Sequence, residues 1–142
     1  MPISFFQADV YFQLPKKQLL KNFLKEKFYA STGKQLTLSY IFCSDNYLLK
    51  INQDFLKHDT FTDIITFPLA ETQKKVTAEI YISTERVAEN AHKQKVTESE
   101  EMLRVIFHGV LHLAGLCDKS KTEKAAMRAA EDKWLQAFQK SA

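Results

Sequence analysis

Two histidines four residues apart, His108 and His112, stand in an apolar run that continues to Gly115, Cys117 and Asp118. A helix turns once in about 3.6 residues, so residues four apart share a face. Both imidazoles could then reach one metal ion at roughly 2.0–2.1 Å. Gly115 can take the left-handed conformation that ends a helix and folds the chain back. That reversal would deliver Asp118 as a third ligand, with Cys117 as the second choice. Three protein ligands and one open position describe a catalytic site rather than a structural one. Histidines between Val105-Ile106-Phe107 and Val110-Leu111 could instead be buried and hydrogen-bonded, but a glycine and an acid at these offsets favour the metal.

The spacing follows the long zinc-peptidase pattern H-E-x-x-H-x-x-G-x-x-H with two changes. Asp118 replaces the third histidine, which is tolerable because carboxylate oxygen binds zinc. Gly109 replaces the glutamate that activates water, which removes the usual route to peptide hydrolysis. The chain has only three glycines, and two fall in this motif. A glycine within a helix costs about 1 kcal/mol relative to alanine. The expected return is room for a bulky substrate beside the ion.

Several elements must hold this motif in place. Ile3 to Gln7 and Val10 to Leu14 read as short extended segments. Pro15 opens a helix with the stripe Leu19, Leu20, Phe23, Leu24 and Phe28. Leu36, Leu38, Tyr40 and Phe42 alternate with Thr37, Ser39 and Ile41 as a half-buried strand. Ser44 caps a helix carrying Leu48, Ile51 and Phe55. Ile64 to Phe67 is a strand stopped by Pro68, and Glu79 to Ile82 is another. Ser83 or Thr84 caps a helix running towards Gln94. Thr97-Glu98-Ser99-Glu100 and Ser120-Lys121-Thr122-Glu123 are capping boxes. The first starts the histidine helix; the second opens a last helix with Met127, Ala130, Trp134 and Phe138 on its core face. The expected class is α+β: a small mixed sheet of four strands packed with about five helices, the metal site on a central helix.

The whole chain, residues 1–142, reads as a single domain, without repeats or linkers. Its 45% hydrophobic content and eleven phenylalanines supply a core. No run approaches the ~20 apolar residues of a membrane span, and Met1-Pro2-Ile3-Ser4-Phe5 does not resemble a signal peptide. A cytoplasmic location is expected, with Cys43 and Cys117 reduced. Twenty Lys and Arg against 17 Asp and Glu give a net charge of +3, which permits phosphate contacts without demanding them.

With these motifs in place, the chain resembles the YbeY family of metal-dependent endoribonucleases of ribosomal RNA maturation, over roughly Leu36 to Trp134. The core of the resemblance is His108-Gly109-x-Leu111-His112-Leu113-x-Gly115. A second match is Ile51-Asn52-x-x-Phe55, followed by Asp59-Thr60-Phe61-Thr62-Asp63-Ile64-Ile65-Thr66-Phe67-Pro68. A third is Ala78-Glu79-Ile80-Tyr81-Ile82-Ser83. The resemblance implies an α+β fold, one zinc ion, hydrolysis of RNA phosphodiesters, and partnership with ribosomal RNA and the small ribosomal subunit. It places a third histidine where this chain has Asp118 and an arginine where it has Leu56. An ammonium from Lys57 binds phosphate differently from a guanidinium fork, so that arginine's role passes to no residue here.

Zinc that lowers the pKa of bound water towards 7 needs less from a protein base, which suits the missing glutamate. His58, Asp59 and Asp63 are candidates to hold that water or the substrate, against the plainer reading of loop residues or a strand cap. Lys57, Arg104 and Lys119 are candidates for RNA phosphates, against that of solvated charges. Two other functions compete: a zinc peptidase or amidase on the same ligands, and a non-catalytic ribosome- or RNA-binding module. In the second, a fourth ligand such as Cys117 would close a structural metal site.

Overall fold

The alternating run around Tyr40 becomes an inner strand of the sheet. In the computed structural model, which describes residues 3–58 and 60–141, the order is β1 (Ile3–Gln7), α1 (Lys17–Thr32), β2 (Gln35–Cys43), α2 (Asp45–Leu56), β3 (Ile64–Glu71), β4 (Lys75–Ser83), α3 (Thr84–Gln94), α4 (Glu98–Leu113) and α5 (Lys121–Ser141). The strands lie in the order β1-β2-β4-β3. The first three are parallel and β3 is antiparallel to β4. This is the expected α+β class, with four strands and five helices.

Register sets the two faces. Leu36, Leu38, Tyr40 and Phe42 stand beside Val76, Ala78, Ile80 and Ile82. All eight are buried in one cluster with Leu20, Leu24 and Phe28 of α1 and Ile106, Phe107 and Val110 of α4. Leu48 and Ile51 of α2 pack with Ile65, Phe67 and Tyr81 in a second cluster. Helix α4 is apolar nearly all round, as a buried helix should be. It starts where Thr97 Oγ1 accepts a bond from the Glu100 N–H at 3.1 Å. The Tyr40 hydroxyl fixes its height over the sheet by donating to the Ile106 carbonyl at 2.9 Å. The Phe107 ring lies 5.7 Å from Trp134 and 6.1 Å from Phe138, which docks α5 on α4. Among the described residues, no helix is long and apolar enough to cross a membrane.

Several local expectations are corrected. Of the two segments read as extended, Ile3–Gln7 pairs into the sheet while Val10 to Leu14 stay unpaired, and Leu14 is drawn into the core. Helix α1 begins at Lys17, after Lys16 at φ 57°, rather than at Pro15. Pro68 does not stop β3. This is an edge strand, where a missing N–H is tolerated, and it passes a bulge between Pro68 and Ala70 before ending at Glu71. Strand β4 begins four residues before Glu79 because this hairpin extends it. Phe55, grouped with Leu48 and Ile51 as the apolar residues of α2, is 70% exposed. Both cysteines are free, Cys43 buried and Cys117 exposed; burial, with Asp9 and Asp45 nearby, pushes the Cys43 thiol up to about 12.

Gly109 does not serve the purpose expected of it. A Cβ there would meet Ile80 Cδ1 at 2.7 Å and Ile64 Cδ1 at 3.1 Å. The glycine lets α4 approach the sheet, and a side chain at 109 would be driven into the core. Gly109→Ala should therefore lower stability by up to about 2 kcal/mol, overpacking of about 1–3 kcal/mol being set against a helix gain of about 1. Adding Ile80→Val removes the clashing methyl, so urea melts should show the double variant more stable than the summed single effects, by at least about 0.5 kcal/mol. Strict additivity would overturn this account.

Candidate functional site

His108 and His112 occupy the last two turns of α4, where the negative end of the helix dipole favours a cation. The helix closes with paired bonds: the Leu116 N–H donates to the Leu111 carbonyl at 3.1 Å, and the Gly115 N–H to the His112 carbonyl at 3.0 Å. Gly115 sits at φ +112° with open space on its Cβ side, so backbone conformation requires glycine here. The chain then doubles back as expected, placing Asp118 Oδ2 3.3 Å from His108 Nε2. A reciprocal capping box holds the return. The Glu123 N–H donates to Ser120 Oγ at 3.1 Å, and Glu123 Oε1 accepts from the Ser120 and Lys119 N–H groups.

Behind His108 lies a residue absent from the sequence-based expectations. Glu131 of α5 is only 4% exposed. Its Oε2 is 2.7 Å from His108 Nδ1, and its Oε1 accepts from Arg104 at 3.1 Å. Arg104 also reaches Asp132 at 2.7 Å. An ionised carboxylate only accepts, so Nδ1 carries the proton and Nε2 faces Asp118. The Glu131 bond raises the His108 pKa above the ordinary imidazole value; burial opposes it, and Asp118 and Asp63 add to the rise.

His108, His112 and Asp118 line one cleft of about 960 Å³ together with His58, Asp63, Arg104 and Lys119. Opposite the helix stands the segment between α2 and β3, pinned by the buried Asn52. The Asn52 carbonyl accepts from the His58 N–H at 3.1 Å, and its side-chain amide donates to the Thr60 carbonyl at 2.8 Å. The Ser83 N–H holds the Asp63 carbonyl at 3.0 Å. Burial raises the Asp63 pKa and Glu131 adds to the rise, while His108 and Arg86 oppose it. Lys57 caps α2 at φ 59° and is not in the cleft wall; Asp59 lies outside the described residues. Arg104 faces inward, its guanidinium engaged by Glu131 and Asp132. The expectations passed over Lys124, Arg128 and Glu101, all of which line the cleft. Glu101 is 4% exposed, and among the described residues its Oε1 has no hydrogen-bond partner. An acid within the stripe Met127, Ala130, Trp134 was the signal that could have exposed Glu131, because carboxylates are almost never buried unless paired.

One of the expected donors, His108, carries a feature of metal-binding imidazoles. A metal-binding imidazole typically gives its second N–H to a carboxylate, which fixes the tautomer and raises ligand basicity; the Glu131–His108 bond is that arrangement. Among the described residues, no three His, Cys, Asp or Glu side chains are drawn together into a group that could hold a metal, and His108 and Asp118 contact each other directly.

An α+β fold whose cleft collects imidazoles, carboxylates and basic side chains is equipped for acid–base or metal chemistry on an anionic substrate. The family model described as endoribonuclease YbeY matches residues 4–139, and the chain belongs to that family. Endoribonuclease YbeY of Cytophaga hutchinsonii is 45% identical over 130 residues, covering 92% of this chain and 91% of that protein. The endoribonuclease YbeY of Amoebophilus asiaticus is 40% identical over 133 residues, or 94% and 90%. A solution structure of a Thermotoga maritima protein superposes with a TM-score of 0.57 at 28% identity, covering 96% of this chain and 88% of that one.

Two outcomes follow from the buried acids. Glu131→Gln keeps a hydrogen-bonding side chain but loses the charge that orients His108, so the affinity for added Zn²⁺ should fall about 10–100-fold by calorimetric titration. Unchanged affinity would remove Glu131 from the site. Desolvation holds the Glu101 pKa above its ordinary value near 4.5, Asp63 and Glu131 adding to the rise and Arg104 and Arg128 opposing it. The folded state therefore keeps a proton that the unfolded chain gives up, and stability falls as pH rises from the unfolded value through the folded one. Glu101→Gln should flatten that decline in thermal melts taken across the acid range; an unaltered profile would contradict it.

Proposed function

We propose that this protein is a metal-dependent endoribonuclease that hydrolyses RNA phosphodiester bonds in ribosomal RNA maturation. In this reading it works in the cytoplasm, with ribosomal RNA and the small ribosomal subunit as partners, and one zinc ion is held by His108, His112 and Asp118. The observation that carries the reading is His108, tied through Nδ1 to a buried carboxylate at 2.7 Å and presenting Nε2 to Asp118 at 3.3 Å. Family membership gives the cleft its substrate class.

Held by His108, His112 and Asp118, a zinc ion would supply Lewis-acid charge for activating water and a phosphoryl oxygen. The remaining work falls to the chain. Glu131 fixes the tautomer of His108, and Arg104 balances the buried charge of Glu131. Lys119, Lys124 and Arg128 on the cleft wall receive RNA phosphates. Asp63, with its raised pKa, and His58 are the candidates to exchange a proton with water or the leaving ribose oxygen. No observation favours peptide hydrolysis, since position 109 faces Ile80 and Ile64. Nor does any favour a closed structural site, since Cys117 is exposed and outside the cleft wall.

Metal analysis of the purified protein should find about one zinc per chain. Zinc-loaded protein should cleave labelled structured or unstructured RNA, and chelator-treated protein should not. His108→Ala and His112→Ala should each lose bound metal and cleavage while retaining the wild-type circular dichroism spectrum. Wild-type cleavage by a folded His112→Ala protein would overturn the ligand assignment.

A further inference from the structure

Phe61 is 51% exposed in the segment that faces the histidine helix, and it lines the same cleft as His108 and Asp63. Exposure of so large an apolar surface is unfavourable, by roughly 25 cal/mol for each Å² left in water. A floppy loop could fold such a ring away. This segment is held on both sides, by Asn52 at the Thr60 carbonyl and by Ser83 at the Asp63 carbonyl. The ring itself is seated on the Arg86 guanidinium, whose Cζ lies 5.0 Å from the centroid. Arg86 is anchored in turn by Asp45 at 2.8 Å and Glu89 at 3.2 Å. Cation–π attraction of this kind orients an aromatic ring. Phe61 thus rests on a fixed cation, stays half exposed and lines the cleft.

We propose that Phe61 is a stacking platform for one unpaired nucleobase of the RNA substrate, positioning the strand beside the histidine cleft. The inference rests on the ribonuclease reading and deepens it by assigning to the cleft a residue that holds a base. Proteins hold single-stranded RNA by stacking splayed bases on aromatic rings or arginine planes. Each such contact typically contributes about 1–3 kcal/mol by alanine substitution, or roughly five- to 150-fold in affinity. Phe61 is a positioning residue here and takes no part in bond cleavage.

The test is titration of chelator-treated protein into a short single-stranded RNA containing 2-aminopurine, whose fluorescence is quenched on stacking. Wild-type protein should quench the probe. Phe61→Ala and Phe61→Leu should each bind about tenfold more weakly without quenching, Phe61→Trp should restore both, and melting temperatures should stay close to wild type. Phe55→Ala, an exposed ring outside the cleft, should match wild type. In cleavage assays of the zinc-loaded protein, Phe61→Ala should raise KM and leave kcat nearly unchanged. Wild-type protein that cleaves RNA, together with a Phe61→Ala or Phe61→Leu variant that binds and quenches as well, would overturn the stacking platform alone. Wild-type protein that neither binds nor cleaves RNA would overturn both readings.

Discussion

Glu131 is the interaction on which the rest of the site depends. Removing a carboxylate from water costs several kcal/mol, and here that penalty is offset from two sides, by Arg104 and by the Nδ1–H of His108. The three groups come from two helices, and their alignment follows from apolar packing nearby. Phe107 meets Trp134 and Phe138 across the seam between α4 and α5, and that contact sets the rotation at which Glu131 faces His108. The aromatic seam is thus part of the site's geometry although it touches no cleft chemistry.

The cleft mixes both signs of charge instead of presenting a single field. Asp63, Glu101, Asp118 and Glu131 share it with Arg104, Lys119, Lys124 and Arg128. A wholly basic groove would bind any polyanion tightly and indiscriminately, since phosphate contacts carry no sequence information. Acids among the bases lower that background and leave groups that can exchange protons. The modest net charge of +3 is consistent with such a balance.

What the sequence disclosed divides along the range of the interactions involved. The helix ends rest on residues a few positions apart: Ser44, Ser83, Thr97 and Ser120 all cap as their spacing suggests. The reversal at Gly115 that brings Asp118 to His108 is equally local. The Glu131–His108 contact spans 23 residues and the Arg104–Glu131 pair spans 27; no local pattern encodes them, and Glu131 stood among residues assigned wholly to the core. Gly109 was misread for a related reason. Its neighbour Ile80 belongs to a strand far away in the chain, so the motif suggested room for substrate where the fold needed room for itself. Pro68 carried a real signal, a missing ladder donor, but an edge strand accommodates it.

That edge has a consequence for how copies of this chain meet. A free strand margin is a template onto which another polypeptide can zip, and proteins commonly blunt it with proline or a bulge. Strand β3 has both, Pro68 and the irregularity that follows it. The outer flank of the sheet is thereby guarded against self-templated fibril growth, and crowding during synthesis or heating finds no continuous backbone ladder there to extend.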